Sequence, residues 1–135
     1  MYKHVLIPIE LGGAGDLALA RQAAEKLVDA DGKLTLLHAV QPIPNYVEAY
    51  VPPDLNAQTL TGAKDKLNEI AAELGVANTV VKIGSAGRTI VDWATENDVD
   101  CIVIASHQPA MSDILLGSTA AWVVRHTPTA IHVVR

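Results

Sequence analysis

Short apolar runs rich in β-branched residues alternate along this chain with longer stretches whose apolar positions recur every three to four residues. Residues 3–9 read as a first strand. From 16 to 30, Leu17, Ala20, Ala24, Leu27 and Val28 fall on one helical face. Asp31-Gly32 then breaks the pattern before a second strand at 33–40. Asp54 reads as the N-cap of a second helix, with Leu60, Ala63, Leu67, Ile70, Ala71 and Leu74 in register and Gly75 as its stop. A third strand is predicted at 79–83, a third helix at about 88–96, and a fourth strand at 100–105. A fourth helix at 118–125 and a final strand at 130–134 complete the order.

The first and fourth strands, Val5-Leu6-Ile7 and Cys101-Ile102-Val103-Ile104, are apolar without alternation, which suits parallel strands covered by helices on both faces. Five strands joined by four crossovers predict an α/β fold: an open doubly wound five-stranded parallel sheet, Rossmann-like. Two connections are long. Residues 41–53 hold Pro42, Pro44, Pro52 and Pro53 with Tyr46 and Tyr50, and read as a structureless link, either functional or a meander over the sheet edge. The other, 106–117, follows the fourth strand and leads into a helix starting at Gly117-Ser118.

At 135 residues the chain fits one domain, 1–135, and can bury a core without disulfides or metal. Half of its residues are hydrophobic, which is too apolar for disorder, yet no apolar run reaches the length of a membrane span. The opening reaches Pro8 and Glu10 too soon for a secretory signal, so a cytoplasmic protein is expected. Ten Lys+Arg against fifteen Asp+Glu give −5, with the basic residues scattered singly, so neither nucleic acid nor a membrane is an expected partner. A lone cysteine, Cys101, excludes an internal disulfide and a Cys-rich zinc site.

In open α/β sheets ligands sit beyond the carboxyl ends of the strands, where strand order reverses. That region would collect Ile9-Glu10, Ala39-Val40, Gly84 and residues 106–118. Gly117-Ser118-Thr119 opens a helix, where unpaired N–H groups and the positive dipole end favour phosphate; the alternative is an ordinary Ser N-cap. Gly13-Ala14-Gly15-Asp16-Leu17-Ala18 matches a dinucleotide fingerprint in form. The second strand, however, ends His38-Ala39-Val40-Gln41-Pro42 without an acid for a ribose, and Asp16 would repel a pyrophosphate, so the segment reads as a tight loop. Glu10 could accept from a ribose or base, or face water. His107 could touch phosphate or form a local bond, and Ser112 and Asp113 could meet a Mg²⁺–phosphate group or make a turn. Trp93, Trp122 and Cys101 fit packing positions. No P-loop, nucleophile elbow or phospho-acceptor pattern is present, so no catalytic residue and no protein-held metal are assigned.

The stretch Ile102-Val103-Ile104-Ala105-Ser106-His107-Gln108-Pro109, then Leu115-Leu116-Gly117-Ser118-Thr119-Ala120, Arg125-His126-Thr127-Pro128 and Ile131-His132-Val133-Val134-Arg135, closely resembles the universal stress protein family. Residues 3–9, 36–40 and 84–90 resemble it too, so the likeness spans essentially the whole chain. ATP-binding members carry G-x-x-G, a nine-residue spacer, then G-[ST]. Here Ala105 and Gln108 replace the two glycines, the spacer is one residue short, and Gly117-Ser118 is intact. Ser-His-x-Pro followed by Leu-Leu-Gly-Ser is similar to a branch of small bacterial members that binds adenine nucleotides through this altered loop.

The resemblance implies an adenine nucleotide alpha hydrolase-like fold and ATP, or ADP or AMP, as ligand, with or without Mg²⁺. Pro8, Ile9 and Glu10 would line the adenosine pocket, Glu10 replacing the family's usual aspartate. Ala39 would offer backbone hydrogen bonds to the adenine edge. Ala105, His107 and Gln108 would lie along the ribose and phosphates, and Gly117, Ser118 and Thr119 would cap the phosphates. The leading reading is a nucleotide-binding regulator of the stress response, paired with its own copy through the C-terminal strand as a homodimer. The alternatives are a nucleotide-independent dimeric interaction protein and a slow ATPase or self-phosphorylating protein using Ser106, Ser118 or Thr119.

Overall fold

The computed structural model describes residues 1–11, 17–105 and 117–135. Among them, strands β1 (Tyr2–Pro8), β2 (Val28–Val40), β3 (Asn78–Ile83), β4 (Cys101–Ala105) and β5 (Ala130–Val134) form one parallel sheet in the order β3-β2-β1-β4-β5. The helices are α1 (Leu17–Leu27), α2 (Asn45–Glu48), α3 (Leu55–Leu74), α4 (Ala86–Glu96) and α5 (Ser118–His126). The expected doubly wound parallel sheet is therefore present.

Strands that are apolar at successive positions need cover on both faces, and they receive it. Val5, Ile7, Leu36 and Val103 share one buried cluster with Ala20 and Ala24 of α1 and Leu67 and Ala71 of α3. Leu6, Leu37, Ile102 and Ile104 share the other with Ile90 and Ala94 of α4 and Ala120 and Val123 of α5. Small residues on the helices let them lie close to the sheet. Cys101 is buried, and that burial, with Asp100 nearby, pushes its thiol up to about 11. The thiol is a packing group, as the sequence indicates.

Three local features depart from the sequence pattern. Helix α1 stops at Leu27 and β2 begins at Val28, so the helical periodicity to residue 30 is overridden. The register jumps from Tyr2↔Val28 to His4↔Lys33, leaving residues 29–32 as an irregularity within β2. It is held by Asp29 on the N-terminal ammonium and by Asp31 on Lys3 Nζ at 2.7 and 2.9 Å. Residues 41–53 are not structureless: Pro44 precedes the short α2, and its C=O accepts from Val47 N–H. Asp54 does occupy the N-cap of α3, but its carboxylate accepts from the Gln58 side chain rather than from a helix N–H. At the other end Gly75 has φ 71°, and Val76 and Gly75 donate back to Ala71 and Ala72. Arg21 of α1 caps the same end, its Nε donating to Leu74 C=O at 2.8 Å.

At the amino end of the sheet, β1 and β4 are locked by polar groups. The Asp100 carboxylate accepts the main-chain N–H of Lys3 and of His4, each at 2.9 Å. Burial works to raise its pKa, but these donors outweigh it and hold the carboxyl below its ordinary range. His4 is only 4% exposed, and its ring meets Trp93 edge-on. Asn97 C=O, which can only accept, lies 3.1 Å from Nδ1, so Nδ1 carries a proton. In the neutral ring Nε2 then accepts from Thr35 Oγ1, 2.8 Å away. Burial depresses the His4 pKa, with Lys33 adding to the effect and Asn97, Asp100 and Asp98 opposing it.

Candidate functional site

The chain runs from β1 outward through β2 to β3, then crosses to β4 and β5 on the other side. Order reverses between β1 and β4, and the crevice that this topology opens lies at their carboxyl ends. Main-chain hydrogen bonding there has two interruptions, one at Pro8 and one beside His38.

The first is Pro8. Ile9 N–H donates to Leu37 C=O at 2.8 Å, so Ile9 faces β2; by strand alternation Pro8 faces β4. The next rung toward β4 would need a Pro8 N–H, which proline lacks. The paired register with β4 accordingly ends at Leu6↔Ile102, although β1 runs to Pro8 and β4 to Ala105. The proline thus unties β1 from β4 at the switch point, while its register with β2 continues to Pro8↔Leu37.

The second is His38, to which no sequence motif assigns a role. A regular parallel ladder would have Ile9 C=O accept from Ala39 N–H. Instead Ile9 C=O lies 2.8 Å from His38 Nδ1, and no Ile9↔His38 rung follows Pro8↔Leu37. Gly84 N–H donates to Val40 C=O at 2.9 Å, so Val40 faces β3 and Ala39 faces the β1 side. Among the described residues, neither the N–H nor the C=O of Ala39 has a partner there. Its one clue in sequence is a histidine within the apolar run Leu36-Leu37-His38-Ala39-Val40.

Helix α5 brings the third component. Gly117, buried and extended, is its N-cap, and Ser118 is the first helical residue, with no side-chain capping bond. The Ser N-cap alternative therefore does not hold. The first intrahelical bond shown runs from Ala121 N–H to Gly117 C=O at 2.9 Å, so the N–H groups of Ser118, Thr119 and Ala120 lack partners inside the helix. Ala120 shares a buried cluster with Leu6, Ile102 and Ile104, which seats the helix on the β1–β4 part of the sheet.

Of the residues singled out from sequence, Pro8 is half-buried, Ile9 buried and Glu10 exposed just past the end of β1. Ala39 is half-buried near the end of β2; Ala105 ends β4, half-buried and paired with Val134. Gly117 is buried, Ser118 exposed and Thr119 half-buried. The strand ends bring Pro8, Ile9, Glu10 and Ala39 together through the Ile9–Leu37 and Ile9–His38 bonds. His107 and Gln108 lie outside the described residues, as do Ser106, Ser112, Asp113 and the glycines 13 and 15. Gly84 follows β3 with φ 157°, and a Cβ there would stand 2.5 Å from Thr89 Oγ1, so any larger residue would be strained. Among the described residues no group of three or more His, Cys, Asp or Glu is placed to hold a metal, and no helix is long and apolar enough to cross a membrane.

Residues 1–135 match the Universal stress protein family. The chain belongs to that family. It is 34% identical to universal stress protein A homolog 2 of Coxiella burnetii, over 88% of this chain and 85% of the relative. Among solved structures it is similar to hypothetical protein MJ0577, at 25% identity and TM-score 0.79, covering 99% of this chain and 96% of that one. Two further structural relatives of this universal stress protein fold carry nucleotides. One is a universal stress protein in complex with cAMP, at 23% identity and TM-score 0.62, covering 99% and 97% of the two chains. The other is an Arabidopsis thaliana family protein with AMP bound, at 18% identity and TM-score 0.59, covering 98% and 90%.

Proposed function

We propose that this universal stress protein binds an adenine nucleotide, ATP first among them, as a regulatory ligand in a cytoplasmic stress response. The observation that carries the reading is Ala39, whose main-chain donor and acceptor face the switch-point crevice without a partner among the described residues. Main-chain groups withdrawn from water are rarely left unpaired, and the half-buried pair at Ala39 suits a ligand edge that offers an acceptor beside a donor. Adenine presents that edge, ring N1 beside the N6 amino group. Guanine presents the reverse, N1–H beside O6.

The remaining residues supply the rest of a nucleotide. Pro8 and Ile9 form the apolar wall, and the Glu10 carboxylate accepts from ribose hydroxyls. Gly117 lets phosphate approach the first turn of α5, where Ser118 and Thr119 offer N–H and hydroxyl donors and the helix dipole favours negative charge. Ala105, His107 and Gln108 complete the ribose and phosphate path, with Mg²⁺ accompanying the phosphates. The family members solved with cAMP and with AMP support adenine nucleotides as the class to test first. Residues 1–135 act as one domain in this reading.

Isothermal calorimetry on refolded, nucleotide-free protein is the test. Micromolar binding of Mg²⁺–ATP, about −8 kcal/mol, is expected, with GTP at least tenfold weaker. Absence of saturable heat with ATP, ADP and AMP at millimolar concentration would remove the reading. One observation favours a second role alongside it. Strand β5 sits at the sheet edge with β4 on one side only, the arrangement that invites pairing with a second copy. A homodimer through that strand is the expected state, and a monomeric mass by light scattering at high concentration would overturn it.

A further inference from the structure

We propose that His38 is a positioning residue: its ring captures the Ile9 carbonyl and thereby keeps the main chain of Ala39 free for ligand. The proposal takes its ligand from the adenine reading above, but its structural half stands independently. Carbonyl oxygen only accepts, so the 2.8 Å contact requires a proton on His38 Nδ1. Strand divergence does not explain the missing rung. Ile9 N–H still reaches Leu37 C=O at 2.8 Å, one bond earlier on the same residue. The two strands are therefore in pairing range when the ladder stops, and the acceptor that Ala39 N–H would use is the one that His38 occupies. A side chain has taken a main-chain acceptor from the neighbouring rung, a competition that polar side chains enter readily.

The arrangement separates two jobs. Both main-chain groups of Ile9 are anchored to β2, which fixes the point from which Glu10 projects. Ala39, the next residue after His38, keeps a rigid donor and acceptor because the flanking Val40 is tied to β3 through Gly84. Were the ring replaced by an apolar side chain, Ile9 C=O would close on Ala39 N–H, and the ligand edge would vanish into a regular sheet.

The test compares His38→Leu, His38→Asn and the wild-type chain. Asn places its amide nitrogen where Nδ1 stands, whereas Leu fills space without a donor. In the wild-type protein, free of nucleotide, the Ala39 amide should exchange with solvent at least tenfold faster than that of Leu37. His38→Leu should protect it, and His38→Asn should leave it fast. Adenine nucleotide affinity should fall on the order of tenfold in His38→Leu, about the worth of one net hydrogen bond, and recover in His38→Asn. The urea midpoint of His38→Leu should not fall in parallel, because a main-chain rung replaces the lost bond. A protected Ala39 amide in the wild-type chain overturns the proposal, and so does unchanged affinity in His38→Leu. If the wild-type chain binds no adenine nucleotide while the exchange pattern is as expected, the adenine reading fails and the capture of the carbonyl by His38 stands.

Discussion

Gly87, in the first turn of α4, faces Trp122 of α5 so closely that a Cβ built on it would lie 2.7, 3.0 and 3.2 Å from Cε3, Cδ2 and Cγ of the indole. Carbon atoms prefer separations of about 3.5 Å or more, so Gly87→Ala requires the ring to retreat by roughly 0.8 Å. His126 is stacked on that ring at a centroid distance of 3.8 Å and 16° between planes, and its Nδ1 donates to Trp122 C=O at 2.7 Å. The indole therefore moves only by disturbing its neighbour. Two effects oppose each other. Alanine gains up to about 1 kcal/mol of helix propensity over glycine, and less in a first turn. Overpacking a settled contact costs about 1–3 kcal/mol. The clash should win, giving a net loss of about 1–2 kcal/mol. The sign should reverse in a Trp122→Leu background, where only the propensity gain remains. Urea unfolding followed by far-UV circular dichroism on the four proteins of this cycle measures the coupling, expected at about 1–3 kcal/mol. If Gly87→Ala proves as stable as the parent and the coupling falls below about 0.5 kcal/mol, the glycine is not what lets α4 and α5 approach.

Pro8→Ala should restore a donor facing β4. The new rung is worth about 0.5–1.5 kcal/mol, offset by about 0.4–1 kcal/mol of unfolded-state freedom regained, so stability should barely change. The amide introduced at position 8 should be protected from exchange and nucleotide affinity should drop; an unprotected amide would refute the assignment of the β1–β4 opening to proline. His4 makes a separate prediction about pH. Its folded pKa lies below the ordinary 6.5, so below that pH the unfolded chain binds the extra proton. Its contribution is thus fully present above pH 6.5 and is lost as pH falls toward the folded pKa, with a slope of up to about 1.4 kcal/mol per pH unit. Urea midpoints at pH 7.5, 6.5 and 5.5 should fall more steeply for the wild-type protein than for His4→Gln, and equal slopes would contradict the reading.

The strands were readable because Val5-Leu6-Ile7 and Cys101-Ile102-Val103-Ile104 can be satisfied only between two layers of helix, which also implies the parallel sheet. Less legible was the junction at residues 28–32. Leu27 and Val28 continue a helical face, yet the Asp29 and Asp31 carboxylates are drawn to cations at the chain start, 28 residues away, and no local pattern announces such partners. Four prolines make 41–53 read as a structureless link, although proline suits the start of a helical turn, as Pro44 does before α2. At the site, topology pointed to the carboxyl ends of the central strands, and the Ile9–Leu37 and Ile9–His38 bonds bring Pro8, Ile9, Glu10 and Ala39 near one another there. A histidine within the apolar run 36–40 is the one sequence clue to the His38–Ile9 contact, and its partner depends on cross-strand register, which places the ring against Ile9. Register is a property of the folded sheet and cannot be read from spacing along one strand.

Strand order also has a consequence for how this chain comes together in time. The central strand, β1, is made first, and its partner on one side, β2, follows within a few tens of residues. Its other partner begins at Cys101, and the Asp100 carboxylate that clasps Lys3 and His4 lies 97 and 96 residues from them. During synthesis the first three strands can assemble while one flank of β1 waits, with its Leu6 rung uncovered, for the last third of the chain. Closing so long a loop is the slow, entropy-limited step, and a chain truncated before residue 100 would present β1, with its buried Val5-Leu6-Ile7 run, as an open edge. The residues that close the sheet around β1 are therefore also the ones that decide whether a nascent chain folds or finds another copy of itself.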